Sequence, residues 1–280
     1  MRRRLRFNPI KAFFMVVPLA IMLFWALAPI YWILVTAFTT NDKLYSPVLN
    51  LFPNPITLSH FDELFRESPF LRQLRNSFYV STITTVVSAI VGCTAAYAIT
   101  RLKFRGRQLI ARFLIWSYLV PASVLFIPLF SLVQTLGLVG KTNSLLLAYL
   151  TFTVPFCTWL LIGYFKALPV ELEEAAMVDG CSHVGALWRI TLPLAAPALV
   201  VTTLFSFTLS WNEFLYAIVL VTNPVDQTVT AGIATFVGED VYFWGKMFAG
   251  ATLMSLPPVI LYLVGQRWVI GGLTMGGIKA

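Results

Sequence analysis

Between Ala12 and Asn41 the chain carries no charged residue, and comparable apolar runs return over Asn76–Thr100, Phe113–Gly140, Thr142–Phe165, within Ile190–Val225 and over Met247–Gln266. About 20 apolar residues in helical form cross a ~30 Å hydrocarbon layer, and helices satisfy their own backbone polar groups there. An all-α integral membrane protein follows, with spans expected at 12–40, 76–100, 113–136, 143–165, 197–222 and 247–266. The balance of 58% hydrophobic and 11% charged residues in 280 could not be hidden in the core of a soluble domain of this size.

Charge sets the expected orientation. Arg2, Arg3, Arg4, Arg6 and Lys11 precede the first run with no acid among them, and Arg101, Lys103, Arg105 and Arg107 close the second. Cytosolic flanks are enriched in Lys and Arg, so both termini are expected inside, with 267–280 as a cytosolic tail. Ala26-Leu27-Ala28 resembles a leader cleavage site, but Pro29 would follow the cut and the run continues past a leader's usual length. A retained first span is expected. The net charge of +8 does not point to nucleic acid, because the basic residues border apolar runs and form no separate basic domain.

Cys93, Cys157 and Cys181 form neither a disulfide framework nor a zinc spacing, and no metal site is expected. His60 and His183 lie outside the apolar runs, so no span offers an imidazole for a proton relay. In the external stretch 42–75, Pro47, Pro53 and Pro55 interrupt regular structure, Leu58 to Phe65 read as a short amphipathic helix, and His60 is expected at the surface.

Between the fourth and fifth runs Glu171, Glu173, Glu174 and Asp179 gather in a loop, 169–193, that is expected to be cytosolic. Pro169 suits a first helical turn, and Glu171, Glu173 and Glu174 complement the positive end of a helix dipole. Asp179-Gly180 reads as a stop, with Gly180 in the left-handed conformation, and Ser182 as the cap of a second helix. That helix should run through Leu187 to Ile190 until Pro193 and Pro197 bend the chain into the next span.

The order Glu174-Ala175-Ala176, Asp179-Gly180, then Ile190, Leu192 and Pro193 resembles the EAA loop of binding-protein-dependent ABC importer permeases. Cys181 and Leu187 depart from that pattern, which usually has Ala and often Phe there. Trp211-Asn212-Glu213-Phe214 and the Gly-rich end of the chain extend the resemblance to the maltose-type carbohydrate branch, over one transmembrane domain spanning 1–280. It implies that Glu174, Ala175, Ala176, Asp179, Gly180, Ile190, Leu192 and Pro193 couple the chain to an ATPase. It further implies a second permease as heterodimer partner, two ATPase subunits and an extracytoplasmic solute-binding protein, in the cytoplasmic membrane of a bacterium or archaeon.

No Gly-x-x-x-x-Gly-Lys-Ser/Thr loop occurs, so ATP and Mg are expected on the partner ATPase, with no cofactor on this chain and no enzymatic activity of its own. The expected cargo is a sugar, oligosaccharide or polyol, with glycerol phosphate esters open. The rival from another class is an ion-driven secondary carrier, which needs paired intramembrane acids or repeat symmetry. Glu213 is a lone acid in an apolar run. Read as part of a continuous helix it falls near mid-membrane, where either it satisfies another span or, with Asn212 and Trp211, it lines the pathway. Gly276 and Gly277 sit in a tail whose glycines argue against a rigid helix, leaving contact with the ATPase or a frayed end.

Overall fold

A computed structural model of the chain describes residues 9–238 and 242–276. In order the helices are α1 (Pro9–Phe38), α2 (Asn41–Leu44), α3 (Ser59–Glu67), α4 (Phe70–Arg101), α5 (Arg107–Leu119), α6 (Ala122–Thr135), α7 (Asn143–Ala167), α8 (Glu171–Val178) and α9 (His183–Ala186). A π-helical turn, Leu187–Thr191, leads into α10 (Leu192–Leu194), followed by α11 (Ala196–Trp211), α12 (Leu215–Leu220), α13 (Val229–Ala234) and α14 (Trp244–Gly276). Among the described residues no strand forms, only isolated bridges between Thr39 and Ile56 and between Val237 and Tyr242.

Four helical segments, Phe13–Phe38, Phe70–Arg101, Asn143–Ala167 and Trp244–Trp268, are long and apolar enough to cross a membrane, and two bent pairs raise the number to 6 if each is one crossing. The first pair joins α5 to α6 through a 101° bend and the second joins the α9–α10 segment to α11 through 80°. Span 3 was expected as one run over 113–136. The chain instead breaks at Val120-Pro121, because Pro disfavours helical geometry in the residue before it, while Pro128 stays inside α6.

The described chain divides into two compact units. In the first, the described residues of 235–253 fold with residues 9–68. Lys246 pairs with Glu63 at 3.2 Å and Glu67 at 2.6 Å, and the Tyr45 hydroxyl donates to the Tyr242 carbonyl. His60 corrects the sequence reading: it is 1% exposed, and its Nε2 lies 2.8 Å from the Thr39 carbonyl oxygen. The amphipathic face of α3 turns it inward, and a Cβ on Gly245 would meet its ring at 2.3 Å, so only glycine leaves room for the imidazole.

The second unit is built on α4 and α7. A Cβ on Gly92 would lie 2.8 Å from Cys157 Cβ, and the Ser88 and Thr153 hydroxyls meet at 2.7 Å. Small residues and hydroxyl pairs of this kind let membrane helices pack closely where hydrophobic burial gives little drive. Toward one end Val80, Leu145, Tyr149, Tyr216 and Leu220 form a core, and toward the other Cys93, Tyr97, Leu161, Phe165, Leu187 and Ala198 form a second. The connection after α12 is tied to α4. Gln73 donates to the Pro224 carbonyl, and Asn76 donates to those of Val225 and Gln227.

The tail also departs from expectation. Residues 267–276 continue α14 as helix despite their glycines. Each Gly costs roughly 1 kcal/mol against Ala, but adding residues to an existing helix avoids the cost of nucleation. Gly276 is the last residue of α14. Gly277 and Lys279, like Arg2, Arg3, Arg4, Arg6, Glu239 and Asp240, lie outside the described residues.

Candidate functional site

The loop after α7 folds as a compact helix, turn and helix. Val170 is the N-cap of α8, so Pro169 stands just before the first turn and not within it. Leu172, Glu174, Ala175, Val178 and Asp179 are exposed along α8, and Ala176 is half-buried. Gly180 has φ +87°, the left-handed conformation that ends α8, and its amide donates to the Met177 carbonyl at 3.0 Å. Ser182 Oγ accepts from the Gly185 amide at 3.2 Å and caps α9.

From there the second helix differs from expectation, because a π turn occupies Leu187–Thr191. It turns Leu187 into the core while Val184 and Trp188 stay 65% and 67% exposed. Ile190 and Leu192 are half-buried and Pro193 is exposed. The bend into α11 falls at Ala195, and Pro197 lies in the first turn of α11, where its missing N–H is not needed.

Glu173 does something the sequence did not show. It was read as one of three carboxylates at a helix start, yet it is buried and accepts from Arg101 Nε at 2.8 Å. Arg101, the last residue of α4, also donates to the Leu168 carbonyl at 3.2 Å. The Tyr97 hydroxyl donates to the His183 carbonyl at 3.1 Å, so α4 holds both helices of the loop. No local signal marks these partners, since they lie far apart in the chain.

The Trp211-Asn212-Glu213-Phe214 segment is not continuous helix. α11 ends at Trp211, and α12 begins at Leu215. Glu213 bridges the break: Oε1 accepts from the Tyr216 amide at 2.9 Å, Oε2 from the Ala217 amide at 3.2 Å, and its carbonyl accepts from Thr230 Oγ1 at 2.8 Å. A helix break in an apolar run needs such partners for its freed backbone groups. Asn212 is exposed. Trp211 is buried, stacks on Phe207, meets Phe78 edge-on, and donates from Nε1 to the Met254 carbonyl at 3.1 Å. That carbonyl needs an outside donor because Pro258, four residues on, has no N–H to give it.

An acidic helix-turn-helix loop is thus clamped to a bundle of apolar helices, and residues 80–274 match the family described as the binding-protein-dependent transport system inner membrane component. The chain belongs to this family. It is 34% identical to the sulfoquinovosyl glycerol transport system permease protein SmoH of Agrobacterium fabrum over 93% of this chain and 91% of that one. It is 32% identical to the trehalose/maltose transport system permease protein MalG of Thermococcus litoralis over 98% and 99%. The fold matches a chain of a bacterial ABC transporter involved in the import of the acidic polysaccharide alginate, with a TM-score of 0.78 and 23% identity over 96% of this chain and 100% of that one. The chain is therefore a permease subunit of an ABC importer and not its ATPase.

Proposed function

We propose that this subunit forms half of the translocation pathway for a carbohydrate (sugar, oligosaccharide or polyol) and works by alternating access. The relatives named for sulfoquinovosyl glycerol and for trehalose and maltose support that cargo class. The subunit crosses the cytoplasmic membrane six times with both termini in the cytosol, a reading supported by the basic flanks of the apolar runs. It pairs with a second permease, receives cargo from an extracytoplasmic solute-binding protein, and rests on two ATPase subunits that carry ATP and Mg.

The observation that carries the reading is the exposed surface of α8 ending at left-handed Gly180, with Glu173 fastened beneath it to Arg101. In this reading Glu174, Ala175, Ala176, Asp179 and Gly180 face the ATPase groove, while Ile190, Leu192 and Pro193 set the angle of the second helix. Gly276 and Gly277 reach the ATPase from the tail. Closure of the ATPases moves α8, the Arg101–Glu173 pair passes the movement to α4, and the spans tilt as rigid bodies. Asn212 offers its amide to the pathway, Glu213 holds the break that exposes it, and Trp211 braces the break from behind.

The test is reconstitution of this chain with its co-expressed second permease and ATPases in liposomes, supplied with binding protein loaded with candidate carbohydrates. The expected result is ATP hydrolysis stimulated by loaded binding protein together with uptake. Uptake driven by an ion gradient without ATP would restore the secondary-carrier alternative.

A further inference from the structure

Between Glu67 and Glu171 the chain contains no acidic residue, and the corner joining α4 to α5 gathers Arg101, Lys103, Arg105, Arg107 and Arg112. Arg101 is paired with Glu173, and Arg107 donates to the Leu102 carbonyl at 3.1 Å. Among the described residues, none of Lys103, Arg105, Arg107 or Arg112 has a carboxylate within ion-pair distance. Gly106, at φ +89°, turns the chain so that Arg107 and Arg112 border one cleft with Phe104, Gln108 and Leu109.

The cleft opens onto an apolar stripe. Leu109, Phe113 and Trp116, spaced i, i+4 and i+7 on α5, are 68%, 67% and 65% exposed, and α5 buries no residue. Clustered guanidinium groups match phosphate oxygens, and basic clusters beside a membrane span attract anionic headgroups. A soluble anion would use the cations and leave the stripe uncovered. An acidic protein face would do the same.

We propose that the α4–α5 corner is a binding site for an anionic phospholipid, its phosphate held by Lys103, Arg105, Arg107 and Arg112 and its acyl chain laid along Leu109, Phe113 and Trp116. The site adjoins the Arg101–Glu173 pair, so the lipid sits beside the joint that holds the docking loop. Only the choice of leaflet rests on the topology proposed above.

The experiment uses the whole importer complex in vesicles of phosphatidylcholine containing brominated phosphatidylglycerol or brominated phosphatidylcholine. Quenching of Trp116 is obtained by difference from a Trp116→Phe complex. Each surface cation contributes about a fivefold factor to anionic-lipid binding, so phosphatidylglycerol should quench at a mole fraction roughly tenfold or more below that of phosphatidylcholine. Lys103→Gln/Arg105→Gln/Arg112→Gln should remove the preference, Arg105→Lys/Arg112→Lys should retain most of it, and added salt should weaken it.

Equal quenching by the two lipids in the wild type, or an unchanged preference in the triple Gln variant, would overturn the site. Millimolar glycerol phosphate abolishing the preference would assign the cations to a soluble anion and overturn the lipid. A triple variant that keeps the preference but sheds the ATPase on gel filtration would assign the corner to that partner.

Discussion

Arg101 donates from Nε to Glu173 Oε1 at 2.8 Å, with both side chains about 95% removed from solvent. The pair joins the last residue of the long helix α4 to the third residue of α8. A buried ion pair adds little net stability over a well-packed apolar pair, whereas leaving one partner alone costs about 3–5 kcal/mol. Its main effect is to fix the position of α8 on the bundle.

Glu173→Ala and Arg101→Ala should therefore each destabilise the assembled complex by about 3–5 kcal/mol, seen as lower melting temperatures and loss of ATPase on purification. The double variant Arg101→Met/Glu173→Leu should recover much of the stability. Additive losses in the double variant would show that the two residues act separately.

Gly180 has φ +87°, and nothing lies within 4 Å of a Cβ built there. A substitution meets conformational strain without a clash, roughly 1–2 kcal/mol for most residues and less for Asn. Coupling, read as substrate-stimulated ATP hydrolysis in liposomes, should fall in the order Gly180, Gly180→Asn, Gly180→Ala. Gly180→Asp, which adds a charge to the face proposed to meet the ATPase, should uncouple the complex while the subunit still inserts. Equal coupling in Asn and Ala variants would remove the conformational argument.

Glu213 accepts two backbone amides with its two carboxylate oxygens. Glu213→Gln keeps one acceptor oxygen and should assemble with the second permease nearly as the wild type does, with altered uptake. Glu213→Leu leaves both amides without an acceptor, at about 1–3 kcal/mol each, and should lower thermal stability and assembly together. Wild-type melting of the Leu variant would show that the break does not depend on this side chain.

Trp211 Nε1 supplies the donor that Pro258 withholds from the Met254 carbonyl. Trp211→Phe should destabilise by about 1 kcal/mol or more, and Pro258→Ala, which restores a helical N–H, should offset part of that loss. A double-mutant cycle on thermal stability should return a coupling of about 0.5–2 kcal/mol, and a value near zero would sever the two positions.

The apolar runs, their basic flanks and the turn residues Gly180 and Ser182 were legible in the chain, because each acts through a local property: hydrocarbon solubility, a left-handed φ, a side-chain cap. The same local logic misjudged His60, the continuity of the helix at Asn212 and Glu213, and the glycine-rich end of α14. In each case a distant partner or a preceding helix outweighed propensity: Thr39 and the space at Gly245 for His60, the hydroxyl of Thr230 at the break, and the long helix that carries its own end. The amino-acid sequence by itself determined that the chain is a bundle of apolar helices presenting an acidic loop. That Arg101 grips Glu173, and Trp211 serves Met254, was decided only by the tertiary structure, because a buried charge or an unpaired carbonyl takes whichever partner the fold brings within hydrogen-bond reach.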